Sequence, residues 1–252
     1  MEIDKSTWNY IEFDKIGNFF SGYTPKSNEI SENDSVPYFK VAEMNIPGNE
    51  RWLHCTSLFV DDSHKVFPPN SIVFPKNGAA VSTNKKRILS VYSVVDLNTA
   101  GVTLHERCLP LYAYYWILTK DFNEFIRRGA VPTLNLKALK KEIFPLPSLE
   151  IQKNIVSELD MLQEVIDGYK AQIFDLDALA QSIFLDTFGD PISNPKGWEL
   201  NPISSYIKKT RNIAWSNNSQ TYKYIDLTSV GRTTGIIRDT ILVNSSTAPS
   251  RA

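Results

Sequence analysis

The sequence predicts an α+β chain: a mixed α/β domain over 1–145, a long coiled-coil helix over 146–190, and a truncated second copy of the domain over 191–252. Three observations support this. Apolar residues recur in alternating steps of four and three at Ile155, Leu159, Leu162, Ile166, Tyr169, Ile173, Leu176, Ala180 and Ile183, a heptad seam that asks for a partner helix. Short β-rich runs separated by Pro, Asn and Gly turns fill the first 145 residues, the pattern of a mixed domain. Trp8 opens WNYIEFDKIG and Trp198 opens WELNPISSYI, and each is followed by a β-rich run, at Val36 and Thr221, a weak internal repeat.

In the first domain, Val36–Val41, Ser71–Phe74 and Ile88–Val95 read as strands. Ser21-Gly-Tyr-Thr-Pro25 and the polar run to Asp34 read as an exposed loop, and Lys76-Asn-Gly78 as a tight turn. Leu111–Arg128 is expected to be a helix, with Pro110 in its first turn, Arg127 and Arg128 against the C-terminal dipole and Gly129 at C′. A shorter helix is expected over Leu136–Lys141, before the extended hinge Phe144-Pro-Leu-Pro147. The long helix then runs from about Pro147 to Asp186, a rod of roughly 60 Å. Ser148 is placed to cap its start, and Gly189-Asp-Pro191 to stop it. Gly168 inside it costs about 1 kcal/mol against alanine.

The chain has 252 residues and a net charge of −1, but that balance hides segregation. Residues 1–70 carry six Lys/Arg against eleven Asp/Glu, 71–149 carry eleven against five, 150–190 two against nine, and 191–252 eight against three. Local potential, not net charge, governs binding to a polyanion. No apolar run is long enough to span a membrane, and the polar N-terminus has no signal-peptide core. Cys55 and Cys108 are too few for a disulfide framework. An intracellular, cytoplasmic protein is expected. His54-Cys55 and His64 match no zinc spacing, and no metal is expected.

The order of motifs resembles the DNA-specificity subunit of type I restriction–modification enzymes. The resemblance rests on Ile16-Gly17 with Gly22-Tyr-Thr-Pro25, Val36-Pro-Tyr-Phe-Lys40 with Met44, Val73-Phe-Pro-Lys-Asn-Gly78, and Gly129-Ala-Val-Pro132 with Leu134-Asn135. It continues through Phe144-Pro-Leu-Pro-Ser-Leu-Glu-Ile-Gln152, Gln181-Ser-Ile-Phe184, Phe188-Gly-Asp-Pro191 and Asn194-Pro-Lys-Gly-Trp198. It implies a target-recognition domain that reads half of a split DNA site, and paired long helices that set the spacing. Methylation subunits would carry S-adenosylmethionine chemistry, and a further subunit would use ATP and Mg for translocation and cleavage. This chain itself needs no cofactor. It departs from the family in having one complete recognition domain and one long helix. The lone seam therefore implies a homodimer, whose two-fold symmetry would make the split site palindromic.

Within that frame the expected DNA contacts are Tyr23, Thr24 and Lys26 in the first polar loop; Lys76 and Asn77 beside Gly78; Asn84, Lys85, Lys86 and Arg87 in the densest basic run; and Arg127, Arg128 and Asn135, with Thr133, around Pro132. Arg, Lys and Asn are the side chains that contact phosphates and base edges. Each segment also has a plain reading, as a solvated loop, a hairpin turn or a dipole partner. Lys208, Lys209 and Arg211 are the matching cations of the truncated copy. No Asn/Asp-Pro-Pro-aromatic motif, glycine-rich phosphate loop or nucleophile constellation is present, so a non-catalytic chain is expected. A coiled-coil adaptor that binds proteins without reading DNA is the competing reading. It leaves the charge segregation and the repeated domain start unexplained.

Overall fold

The computed structural model describes residues 5–127, 129, 131–208, 221–232, 234–244 and 246–248. The first part of the chain forms β1 (Asn9–Glu12), β2 (Gly17–Ser21), β3 (Val36–Phe39), β4 (Trp52–Leu53), β5 (Phe59–Val60), β6 (Ile72–Pro75), β7 (Arg87–Leu89), β8 (Val94–Val95) and β9 (Thr99–Leu104). Then follow α1 (Pro110–Leu118), β10 (Ile126–Arg127), β11 (Thr133–Leu134), α2 (Leu136–Lys140), β12 (Ile143–Leu146) and α3 (Leu149–Phe188). The chain divides into two units, 1–178 and 179–252, with the boundary inside α3.

A five-stranded sheet ordered β2-β9-β6-β7-β4 organises the first unit. Its pairs are antiparallel except β4–β7. Strand alternation sends successive side chains to opposite faces. Ile72, Phe74, Ile88 and Val102 therefore join α1 (Ala113, Ile117), Phe13, Phe122 and Phe144 in the main core. Val73 and Leu89 join Phe39, Met44, Leu53, Phe67 and Val95 in a second core. Gly101 is required where Phe20 crosses β9: a Cβ there would stand 2.5 Å from the Phe20 ring and 2.6 Å from the Ile72 carbonyl oxygen. A smaller sheet ordered β5-β3-β8 flanks this arrangement.

Three expectations need correction. The helix expected over Leu111–Arg128 ends at Leu118. Asp121 then caps a 3-10 turn over Phe122–Phe125 by accepting from the Asn123 N–H, which drives Phe122 into the core. Arg127 consequently lies in strand β10, not at a helix terminus, and Arg128 lies outside the described residues. The run Ile88–Val95 is two strands in different sheets; the Ser90 and Ser93 hydroxyls, bonded to the carbonyls of Leu53 and Val91, turn the chain between them. The segment expected as a hinge is β12, paired with β1 so that Tyr10 faces Pro145.

Helix α3 is 40 residues long. The Ser148 hydroxyl accepts from the Ile151 N–H at its start, and Gly189, with φ of +80°, receives the chain at its end. In the second unit Lys196 Nζ donates to the Asp186 and Thr187 carbonyls, both at 2.6 Å, and Trp198 Nε1 donates to the Phe188 carbonyl at 2.7 Å. A positive charge on carbonyls otherwise left open at a helix C-terminus is favourable. This accounts physically for the Asn-Pro-Lys-Gly-Trp motif. Farther on, β13 (Tyr222–Tyr224) pairs antiparallel with β14 (Ile241–Val243), and a 3-10 turn at Leu227–Ser229 follows β13 as one at Val41–Asn45 follows β3.

Two polar ties hold α3 to the domain. Gln152 is fully buried. Its Nε2 donates to the carbonyls of Arg107 (3.0 Å) and Pro147 (2.9 Å), and its Oε1 accepts from the Leu109 N–H (2.8 Å). Asp160 Oδ1 accepts from Arg51 Nη2 at 2.6 Å and from the Tyr115 hydroxyl at 2.5 Å. Ile155 and Val156 pack against the main core. Ile155 is thus a domain contact rather than part of a free seam, because the helix stays beside the domain through Asp160.

Replacing Gln152 with alanine strands one buried N–H and two carbonyls, each worth about 1–3 kcal/mol. A loss of at least 2 kcal/mol, on the order expected from those groups, should appear in urea denaturation. An unchanged midpoint would show that the tie contributes nothing.

Candidate nucleic-acid interface

Sheet topology gathers four separated segments at one end of the main sheet. Because β2–β9 and β9–β6 are antiparallel, the C-terminal ends of β2 and β6 and the N-terminal end of β9 lie together. Backbone bonds complete the rim. Gly22 N–H donates to Thr99 O, Tyr23 N–H to Val95 O, Lys76 N–H to Asn98 O, Gly78 N–H to Pro132 O and Leu134 N–H to Lys76 O. Asn77 bridges to Thr133. Strand β7 starts at the same end, opposite β6, which places the Asn84–Arg87 run beside the rim.

Each predicted residue can now be placed. Thr24 and Lys26 are exposed, and Lys26 Nζ lies 3.7 Å from Glu29. Tyr23 is committed: its hydroxyl donates to Lys65 O, and its ring stacks on His64 at 6.0 Å. Lys76 and Asn77 are half-buried on the rim. Burial pulls the Lys76 ammonium below its usual pKa, against the neighbouring Asp96 carboxylate, which favours its charge. Gly78 has φ of +77°, open to glycine alone without strain. Arg127 is exposed and donates from Nη2 to Asn135 Oδ1 at 2.8 Å. Asn135 Oδ1 also accepts from the Ala138 N–H, so this side chain caps α2 and keeps only its amide donors for other work. Lys208 is exposed in the second unit, while Lys209 and Arg211 lie outside the described residues.

The basic run Lys85–Arg87 behaves differently from the expectation. Lys86 is fully buried. Its Nζ donates to Asn84 Oδ1 at 2.5 Å and Lys120 O at 2.7 Å, and it stands 4.1 Å from the Phe122 ring centre. Asn84 sits in the left-handed region and also accepts from the Phe122 N–H. Arg87 is half-buried and donates to Lys86 O and Met44 O. Asn84, Lys86 and Arg87 therefore bond to protein groups beneath the rim, with Lys86 withdrawn from the surface altogether. Lys85 alone of the run keeps a free ammonium at the surface edge, its pKa lowered by desolvation and then by Arg87.

Sequence reasoning missed Asp96 and Asn98. Asp96 is almost buried, and its carboxylate accepts from Thr99 Oγ1 at 2.7 Å and Asn98 Nδ2 at 3.4 Å, fixing the turn that meets Lys76. An Asp-x-x-Thr turn pattern was the available signal. Nothing local connects residue 96 to residue 76. Among the described residues no group of three His, Cys, Asp or Glu is placed to hold a metal, and no helix is long and apolar enough to cross a membrane. Burial pushes the Cys108 thiol up to about 12.

The family model for the type I restriction modification DNA specificity domain matches residues 5–174, the whole domain and most of α3. The chain belongs to that family. A relative, the type I restriction enzyme MjaIX specificity subunit of Methanocaldococcus jannaschii, is 28% identical over 228 residues, covering 80% of this chain and 52% of the relative. Among solved structures, a chain from a type I R-M system superposes with a TM-score of 0.60 at 14% identity, over 73% of this chain and 45% of that one. The HsdS subunit of Thermoanaerobacter tengcongensis gives 0.54 at 18% identity, over 75% of this chain and 46% of that one. This specificity domain thus has the fold of known S subunits, and the chain spans about half the length of the relatives it matches.

Burial lowers the Lys86 pKa from 10.5 to about 8. Between those values the unfolded chain holds a proton that the folded chain has lost, so folding stability rises with pH across that window; below it both states are protonated and the burial cost is fully present. The change amounts to about 3 kcal/mol at most. Lys86→Met should remove this slope, measured as the difference between variant and wild-type urea midpoints at pH 8 and above 10. Parallel profiles would place the ammonium in water.

Proposed function

We propose that this chain is a non-catalytic DNA-reading subunit of a type I restriction–modification complex. The observation that carries the proposal is the family match across a domain and the helix that leaves it. The rim formed by Thr24, Lys26, Lys76, Asn77, Lys85 and Arg127 faces duplex DNA: its cations hold phosphates, and its amide and hydroxyl groups approach base edges. Methylation subunits dock on this scaffold and bring S-adenosylmethionine, and a further subunit brings ATP and Mg. The segment 191–252 is the start of a second recognition domain, supported by the repeated order of strand and 3-10 turn.

The chain pairs with a second copy along α3. Support comes from the seam itself: Leu162, Ile166, Tyr169, Ile173, Leu176 and Ile183 are each 48–63% exposed, with Leu159 half-buried beside them. Monomeric proteins rarely leave an apolar stripe of this extent to water. A two-fold pair presents two copies of one rim, and so reads a palindromic split site.

Two measurements test these statements. Lys76→Ala with Lys85→Ala should weaken duplex binding in fluorescence anisotropy and flatten the salt dependence by about one log-log unit for each phosphate no longer neutralised; an unchanged salt slope would remove these lysines from the interface. Light scattering should give twice 28.6 kDa for the wild type and the monomer mass for Leu162→Asp with Ile166→Asp. A dimer that survives both substitutions would move the interface off the seam.

A further inference from the structure

We propose that the Arg51–Asp160–Tyr115 cluster is the positioning element that fixes the angle of the domain on α3, and thereby selects the separation of the two DNA half-sites. The inference rests on the DNA-reading and pairing proposed above. It starts from how little else holds that angle. Among the described residues, Ile155 and Val156 are the helix hydrophobics that pack on the main core. Alongside them a cleft of about 560 Å³ lies between the helix and the domain, lined by Trp52, Leu109, Leu111, Val156 and Met161, with Asp160 on its wall. On that side the close packing that normally fixes the angle between elements is interrupted.

The angle is instead set by two polar points. Gln152 anchors the base of the helix, and Asp160 sits eight residues farther on, about 12 Å along the axis. One anchor leaves the helix free to rock; two anchors define a direction. The second anchor joins both layers of the domain. Arg51 immediately precedes β4, and its carbonyl accepts from the Ile88 N–H of β7, so it moves with the sheet that carries the rim. Tyr115 belongs to α1, which packs on that sheet. The two rings of Tyr114 and Tyr115 flank the Arg51 guanidinium at 5.8 and 5.2 Å. Burial pushes the Asp160 carboxyl up, but the bonds from Tyr115 and Arg51 outweigh it and hold the group below the usual range.

The leverage is large enough to matter. A rotation of about 10° on an arm of about 20 Å, the scale of a domain of this size, displaces the rim by about 3.5 Å. That is one base-pair step along duplex DNA. The cluster therefore acts on spacing and leaves the half-site sequence to the rim.

Two experiments on the full chain test this. Pulsed electron-spin distances between labels at Ser82→Cys and Ala171→Cys, in a Cys55→Ser background, should give a narrow distribution that broadens with Asp160→Ala and, less, with Tyr115→Phe. Identical distributions overturn the anchor. Selection from a randomised pool of duplex DNA should return one split motif with a single spacer for the wild type. Asp160→Ala and Tyr115→Phe should return the same half-sites with several spacer lengths. The same single spacer, or a changed half-site, overturns the inference while leaving the DNA-reading function standing. A wild-type pool with one unsplit motif overturns the spacing role, and a pool with no motif overturns the DNA-reading function itself.

Discussion

One buried amide joins the first domain to the start of α3. Gln152 presents both faces of its side chain to backbone groups from two segments, at Arg107 to Leu109 and at Pro147. A buried amide is tolerated only when its donors and acceptor are met. Here the donors and acceptor it must meet belong to the loop that enters α1 and the strand that leads into α3. Helix start, domain core and the β1–β12 pair are thus fixed relative to one another before any apolar packing is counted. A glutamine does this where a leucine could not, since it replaces bonds that the surrounding irregular backbone would otherwise lack.

The candidate interface shows a second constraint. Its outward groups stand on residues that have been withdrawn from the surface. Lys86 lies under the rim as a cationic strut, bonded to Asn84 and to the carbonyl before the Phe122 turn. Asp96 does the same from the opposite side, through Thr99 and Asn98. Burying such groups costs free energy unless they are fully bonded, and their bonds hold the Lys76–Gly78 and Asn84–Lys85 turns in place. Preorganised loops on a rigid sheet lose less conformational entropy when they meet a ligand.

Much of this architecture was legible because it is written locally. The heptad spacing gave α3, Ser148 and Gly189 marked its ends, and the Pro110 start of α1 followed from its fixed φ. The motif order gave the family. The parts that were not legible depend on distant partners. Charge density singled out Lys85–Arg87 as one surface patch, yet only contact with Phe122, thirty-six residues after Lys86 in sequence numbering, decides that Lys86 turns inward. The helix expected through Arg128 had suitable propensity, yet it stops at Leu118, and Asp121 opens the separate turn that buries Phe122. The rim itself exists only through sheet order, which brings residues 23, 76, 98 and 133 together.

The bare stripe on α3 also couples the chain to its own concentration. Its side chains face water along most of its length. Exposed apolar surface on this scale lowers solubility and invites aggregation. Where a second copy is the cover, burial of the stripe and the apparent stability both rise with the chain's own concentration.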